Sequence, residues 1–488
     1  MKLNSKYMNI YILYTYTEYN IQMPAAPPFS QLSKRITESL TKDEKKNGGI
    51  FFTPPSCIQR IMALLRGVSL SIHTHTPRPF TSILEPSCGS GEFISALMRE
   101  YPDANITGVE FHPVIYEGVS QHFAAIGGGG GNVSIQHGDF LKYRPAASAT
   151  APPHDLIIGN PPYFVMKKEE VAAEYYPFFD GRPNIFILFI IKSAQILSAG
   201  GVLCFVLPSS FMNSQYYDKA RKYIVRHFTI LHIERCGDGD GDGDGDGGGG
   251  YLDTQQDTII LILRKSGVDS DSLACCASGA GVLEKSGGVS VSLACCASGA
   301  GVFEKSGATI FTDNLPRLTS LYAGSKSLHD LGFKVSVGTV VWNQCKNILT
   351  NDATKTRLVY SANIENGKFV HKTYKNVDKK AFIDKPGIRT PMIVLNRGYG
   401  VGEYQFDYCL LTPASVSSSS SAGYLIENHL ICITHNSATA SDAPSLAAFH
   451  RVIRSFNDPR TQEFISCYFG NNAVNTTELN HMLPIYVS

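Results

Sequence analysis

The sequence predicts an α/β chain: an open, Rossmann-like sheet of seven strands with helices on both faces, followed by a C-terminal α+β domain. Three observations predict it. Strand-type runs alternate with helical stretches from residue 82 to residue 264, the rhythm of a doubly wound sheet. Four successive runs end in Glu85, Glu110, Asp139 and Asn160, and in such a sheet the carboxyl ends of the strands meet at one ligand-binding rim. From residue 308 onward the pattern changes to short strands, turns and basic residues.

A chain of 488 residues holds roughly two to three domains and a sizeable core. Hydrophobic content of 43% and charged content of 17% describe a soluble, globular protein. Net charge is +1, so any nucleic-acid surface must come from local asymmetry. The 12 cysteines include no C-x-x-C pair, and four fall in two Cys-Cys doublets. That pattern argues against a zinc site and against a secreted disulfide framework, and no metal is expected. Residues 1–30 read as a poorly ordered extension whose apolar runs are too short to span a membrane.

Residues 31–47 read as one polar amphipathic helix. Thr53 then stands as N-cap with Pro54 at the first helical position, ahead of Ile58, Ile61, Met62 and Leu65 at helical spacing. A capped helix start suits a carboxylate ligand. The stretch from Ser82 to Phe93 is strand, glycine turn (Gly89, Gly91) and helix. It lacks the third glycine of a dinucleotide fingerprint and the Lys-Ser/Thr of a P-loop. Glu85 before the turn favours a nucleoside-type ligand with a cationic or hydroxylated part. Glu110 ends the next strand about 20 residues on, the spacing of an acid that accepts ribose hydroxyls, and Phe111 can pack on a base. Asp139 and Phe140 place an acid and an aromatic at the following strand end.

Leu156, Ile157 and Ile158 form a buried parallel strand that stops in Asn160-Pro161-Pro162-Tyr163. Two prolines remove two backbone donors and hold the residues before them extended. An amide oxygen, free carbonyls and the rings of Tyr163 and Phe164 at one strand end suit a planar, amine-bearing substrate. Residues 184–197 read as a buried helix capped by Gly200-Gly201. After it come a fifth strand at 202–207, a basic helix at 214–227, and strands at 230–234 and 258–264. Gly-Asp repeats at 237–250 read as a solvated loop. Residues 266–285 and 286–305 are a tandem duplication, expected to be an insertion in a surface loop. Between 326 and 400, thirteen Lys and Arg face five Asp and Glu, interleaved with Trp342, Tyr360, Phe369, Tyr374 and Phe382, a composition for phosphate-backbone contact and stacking. A Ser-rich loop at 415–422 precedes strand and helix at 424–435 and 458–486.

Taken in order, Gly49-Ile-Phe-Phe-Thr-Pro, Leu84-Glu-Pro-Ser-Cys-Gly-Ser-Gly-Glu-Phe, Gly108-Val-Glu-Phe, Gly138-Asp-Phe and Gly159-Asn-Pro-Pro-Tyr resemble the motif series of gamma-class adenine-specific DNA methyltransferases. The resemblance covers residues 45–265. Val335-Ser-Val-Gly-Thr-Val-Val-Trp-Asn-Gln and Asn475-Thr-Thr-Glu-Leu-Asn-His-Met-Leu-Pro-Ile look like the two ends of a TaqI-type specificity domain.

The resemblance implies S-adenosyl-L-methionine as cofactor, with Thr53, Gly89 and Gly91 around its methionine part and Glu85 nearby. Glu110 would take the ribose hydroxyls, and Asp139 and Phe140 the adenine. Asn160 and the Pro161 carbonyl would accept the two hydrogens of a target amine, with Tyr163 stacked on the flipped base. Tyr251 is the nearest match to a second stacking aromatic. Four segments follow: an extension at 1–30, a methyltransferase domain at 31–265, the repeat insertion at 266–305 and a target-recognition domain at 306–488. The partner implied is double-stranded DNA, for an intracellular, soluble monomer of the cytoplasm or nucleus. It would be the modification arm of a restriction–modification-type system, in no stable complex with a cognate endonuclease. RNA or protein-glutamine methylation through the same turn, or an inactive DNA-binding relic, are the alternatives.

Overall fold

The structure is a computed structural model. It describes residues 27–72, 79–126, 132–145, 154–236, 257–266, 289–290, 299–397, 406–416, 423–436, 446–469 and 474–487. Tyr251, the Gly-Asp tract, most of the Ser-rich loop and most of the duplication lie outside this set.

Seven strands form the main sheet: β1 (Ser82–Glu85), β2 (Asn105–Glu110), β3 (Val133–His137), β4 (His154–Gly159), β5 (Leu197–Pro208), β6 (Phe228–Cys236) and β7 (Thr258–Lys265). Their order is β3-β2-β1-β4-β5-β7-β6. The pairs β3–β2, β2–β1, β1–β4 and β4–β5 are parallel, while β7 runs antiparallel to both neighbours. The order reverses between β1 and β4, where a doubly wound sheet opens its ligand crevice. Leu84 and Ile157 pair there, which brings Glu85 and Asn160 to one rim. Separate apolar clusters pack on the two faces. The helix Ile185–Ile196 is buried nearly all round, as its uniform hydrophobicity requires.

Several sequence expectations shift. Residues 31–47 are two helices, Gln31–Ser39 and Lys42–Gly48. Leu40 is extended, and Thr41 and Glu44 form a reciprocal capping box that starts the second helix. Thr53 is not the N-cap of the next helix, Pro55–Ile72. The Pro54 carbonyl accepts from the Ile58 N–H at 3.1 Å, so Pro55 takes the first helical position, where a missing N–H costs nothing. Gly200-Gly201 lie inside β5 rather than capping a helix, since the chain turns extended at Leu197.

The basic helix begins at Asp218, after a 3-10 turn, and its Arg221 faces inward with 1% exposure. Arg221 donates to the carbonyls of Phe211 and Ser214, each at 2.8 Å, and to that of Thr309. Asp218 accepts from the Thr309 N–H at 2.8 Å.

The largest correction concerns the duplication. Its tail, Gly301–Lys305, is strand β9, paired with β10 (Ala308–Thr312) and with a short β8 (Val289–Ser290). Val302 packs into the core beside the main sheet, and Phe303 into the core of the C-terminal half. Removing both copies would therefore remove buried strand, not loop. The C-terminal half carries β11 (Phe333–Val337), β12 (Leu349–Thr350), β13 (Thr356–Val359), β14 (Ile364–Glu365), β15 (Lys368–Phe369), β16 (Phe382–Ile383), β17 (Met392–Asn396), β18 (Tyr408–Leu411), β19 (Tyr424–Ile426) and β20 (Leu430–His435). They form sheets in the orders β11-β20-β17-β18, β12-β16-β13-β19 and β14-β15. A helix unexpected from the sequence, Leu446–Phe456, joins Pro459–Tyr468 and Thr476–His481 against this half. The α+β expectation holds. Among the described residues no helix is long and apolar enough to cross a membrane.

Phe303 is fully buried against Tyr322, rings stacked at 4.7 Å. Phe303→Ala is expected to cost about 3–5 kcal/mol, read as a lower urea midpoint at unchanged slope.

Candidate active site

A cavity of about 420 Å³ opens at the sheet's carboxyl rim, within the size range of small-molecule sites. Thr53, Glu85, Gly89, Glu110, Phe111, Asp139, Phe140, Asn160, Pro162 and Phe164 all line it. The four strand-end polar residues do converge, because parallel strands started at similar heights end at similar heights. Gly91 stands behind the lining. Its φ of +80° starts the helix Glu92–Glu100, and a Cβ there would lie 2.4 Å from Phe123, so any larger residue displaces the turn.

The cavity is acidic. Glu85 is 2% exposed, and its Oε2 has no hydrogen-bond partner. Burial, with Glu110 and Glu92 close by, pushes its carboxyl well above the usual 4.5. Glu110 accepts from the Gly89 N–H at 2.9 Å and the His112 N–H at 2.7 Å. Burial still raises its pKa. A buried carboxylate with a bare oxygen is unfavourable unless a cation or a donor meets it.

Sequence reasoning missed the opposite wall. Glu92 accepts from the Ser30 N–H at 2.9 Å and from the Ser33 hydroxyl, and the Ser33 hydroxyl also lies 2.7 Å from Ser90 Oγ. The helix Gln31–Ser39 is thereby tied to the glycine turn. Phe51 and Phe52 also line the cavity, and a Cβ on Gly89 would come 3.0 Å from the Phe52 ring. An acid in the first helical turn after Gly91 was a visible signal for Glu92. The seryl partner Ser33, 59 residues upstream, and Ser30 beside it were not visible.

Asp139 accepts from the Leu141 N–H at 2.9 Å and caps a 3-10 turn. Phe140 is buried against Phe189, centroids 4.8 Å apart. Phe111 is 72% exposed at the mouth. The Asn160 amide donates to the Phe51 carbonyl at 3.2 Å, and its Oδ1 accepts from the Tyr163 hydroxyl. That hydroxyl also lies 2.8 Å from the Val206 carbonyl. A hydroxyl carries one proton, so the two contacts alternate. The Tyr163 ring stands edge-on to Phe186 at 6.0 Å and does not line the cavity, whereas Phe164 does. Pro161 is buried. Trp342 is elsewhere, with Lys346 and Lys379 over its ring at 5.8 and 5.7 Å. Tyr251 lies outside the described residues.

Fold and rim together define a class: the seven-stranded methyltransferase sheet, with a nucleoside-sized crevice at its switch point. The comparisons with known proteins agree. The family model for Eco57I restriction-modification methylase matches residues 135–240. The chain is 32% identical over 202 residues to the modification methylase CviBIII of Paramecium bursaria Chlorella virus NC1A, covering 40% of this chain and 47% of that protein. It is 24% identical over 445 residues to the type II methyltransferase M.CvrRI of Paramecium bursaria Chlorella virus XZ-6E, covering 89% of this chain and 93% of that one. It is 30% identical over 127 residues to a tRNA1(Val) adenine-37-N6 methyltransferase of a Flavobacteriaceae bacterium, covering 26% of this chain and 51% of that one.

The raised pKa of Glu85 has a signed consequence. Its stabilising contribution is full below the unfolded pKa, near 4.5, and is lost as pH rises through the folded value. Ligand-free protein is therefore expected to lose stability as pH climbs above that range, and Glu85→Gln to flatten the loss. Urea midpoints measured at several pH values check both.

Proposed function

We propose that the chain is an S-adenosyl-L-methionine-dependent DNA methyltransferase that modifies the N6 amine of an adenine turned out of a duplex. It would serve as the modification arm of a restriction–modification-type system, as a monomer with no stable endonuclease complex. The observation that carries this reading is the Asn160-Pro161-Pro162-Tyr163 turn at the rim of a cavity whose buried Glu85 oxygen lacks a partner. That bare oxygen also fits the cofactor, because an α-ammonium is a donor and a cation at once. Glu85 would hold that group, Glu110 the ribose, and Asp139 and Phe140 the adenine ring. Thr53 and the glycine turn would border the methionine part. When bound, the cofactor supplies an electrophilic methyl on a sulfonium.

The remaining chemistry belongs to the turn. An exocyclic purine amine is a weak nucleophile, since its lone pair is delocalised into the ring. Acceptance of its two hydrogens by Asn160 Oδ1 and the Pro161 carbonyl localises that pair and aims it. The Tyr163 hydroxyl donates to Oδ1, and the Val206 carbonyl would give its proton an alternative on base entry. A base must leave the helix stack to reach such a pocket.

Substrate choice rests on the C-terminal half. The relative matched over 89% of this chain is a type II methyltransferase, while the tRNA-modifying relative shares only 127 residues. Of the five acids between 326 and 400, Asp378, Asp384 and Glu365 are each tied to a lysine at 2.7–2.8 Å, leaving a net basic surface for the duplex. Residues 306–488 would be the target-recognition domain.

Asn160→Ala is expected to lower turnover about 100-fold or more while cofactor affinity holds, and Tyr163→Phe to keep turnover within about 10-fold of wild type. Steady-state rates on duplex DNA, with RNA and protein acceptors in parallel, decide; label entering only RNA or protein overturns the DNA reading. Because burial raises the Glu85 carboxyl, cofactor binding is expected to release protons from it, seen calorimetrically at several pH values in buffers of differing ionisation enthalpy and lost in Glu85→Gln. Duplex affinity is expected to fall steeply with salt through the 326–400 surface; an affinity flat between low and moderate salt removes it from the interface.

A further inference from the structure

Arg357, on β13, is 4% exposed. Its guanidinium lies beside two rings, 5.0 Å from the centroid of Phe382 and 5.5 Å from that of Phe369. Neither Nε nor Nη2 has a hydrogen-bond partner, and burial depresses the group's pKa. Among the described residues it forms no ion pair. Two aromatic faces offset part of the desolvation, but an idle donor edge on a buried cation is an unfavourable arrangement that calls for an acceptor.

The molecule itself indicates what such an edge takes. Arg60 turns the same two nitrogens to both oxygens of Glu234 at 2.6 and 2.7 Å. Arg317 turns them to both oxygens of Glu463. In each case the edge meets two coplanar acceptors, which is the match of a rigid fork to a planar group. Arg357 alone of the three has that edge ready and empty.

Resting on the reading of residues 306–488 as a DNA-recognition unit, we propose that the Nε/Nη2 edge of Arg357 is a specificity contact that receives the N7/O6 pair of a guanine in the recognised duplex. Guanine offers two coplanar acceptors in the major groove, the match for an arginine fork. Contact with the Phe382 ring limits how far the guanidinium can turn. Phosphate contact needs no such orientation, and exposed lysines such as Lys368 and Lys375 would meet it. Phe369 is the ring that would give way. It is half-buried on β15, a two-residue strand joined to β14 through Asn366 and Gly367, whose φ values are +51° and +75°. Phe382 is instead fixed between β12 and β13.

The test is selection of bound duplexes from a random-sequence pool by the purified full chain, comparing wild type, Arg357→Met and Arg357→Lys, with thermal melts of each. The wild type is expected to enrich a motif containing a defined G·C pair. Both variants should lose discrimination at that one pair by about 10–100-fold while the rest of the motif stands. Lysine keeps the charge but not the fork, so it should not rescue. Arg357→Met should melt at or above the wild-type temperature, because a buried charge without a partner has been removed. Three outcomes overturn the proposal: an unaltered motif in Arg357→Met, uniform weakening at every position, or a lowered melting temperature in Arg357→Met that marks the guanidinium as structural. If the wild type enriches no motif at all, the DNA-recognition reading fails, and this proposal with it.

Discussion

The structure around the crevice depends on one close approach, that of β1 and β4 where the strand order of the sheet reverses. Gly159 stands there with room for no more than ordinary contact, since a Cβ would lie 3.4 Å from Pro86 and 3.5 Å from Glu85. The Ser87 hydroxyl donates to the Asn160 carbonyl at 3.1 Å across the same gap. This contact sets the Asn-Pro-Pro-Tyr turn directly beside the buried Glu85 carboxyl. The two halves of the proposed chemistry, cation binding and amine acceptance, thus share one wall. A shift of one residue in the β1–β4 register would turn Glu85 to the other face of the sheet and empty that wall of charge.

The second wall comes from the N-terminal segment. Gly49, at a φ of +60°, passes so close to the Asn-Pro-Pro-Tyr turn that a Cβ would lie 2.8 Å from the Tyr163 nitrogen. Phe51 then presents its carbonyl to the Asn160 amide, which orients the amide so that Oδ1 faces the Tyr163 hydroxyl it accepts from. Glu92 anchors the start of the segment through Ser30 and Ser33. The segment is bound at both ends to residues that line the cavity, so its position and the geometry of the turn are one constraint.

The C-terminal half is joined to the same rim. Arg221 ties the chain after β5 to β10, and Glu478 accepts from the Gln215 N–H at 2.9 Å. Arg235 pairs with Asp313 at 3.1 Å. The buried, multiply hydrogen-bonded Arg221 resists bending, so the basic surface and the rim are held in a defined relation. The duplication contributes to this junction through β9, because its second copy carries Phe303, an aromatic large enough to fill the core of the C-terminal half.

Much of the main sheet was legible in one dimension. Strand identity, the acid or amide at each strand end, the buried helix Ile185–Ile196 and the Asn-Pro-Pro-Tyr stop all follow from local rules: burial periodicity, glycine and proline geometry, and the rise of a strand per residue. What lay beyond reach were facts set by neighbours distant in sequence. These include the antiparallel β7, the seryl tether of Glu92, the Tyr163 hydroxyl on Asn160 and the inward face of Arg221. A hydrogen bond between residues far apart leaves no local pattern, because its free energy depends on a separation that only packing fixes. The sequence by itself determined which residues end the strands and so which chemistry gathers at the rim. Only the tertiary structure decided which of those groups have partners, and an unpaired buried group such as Glu85 Oε2 can be recognised only once everything around it has a place.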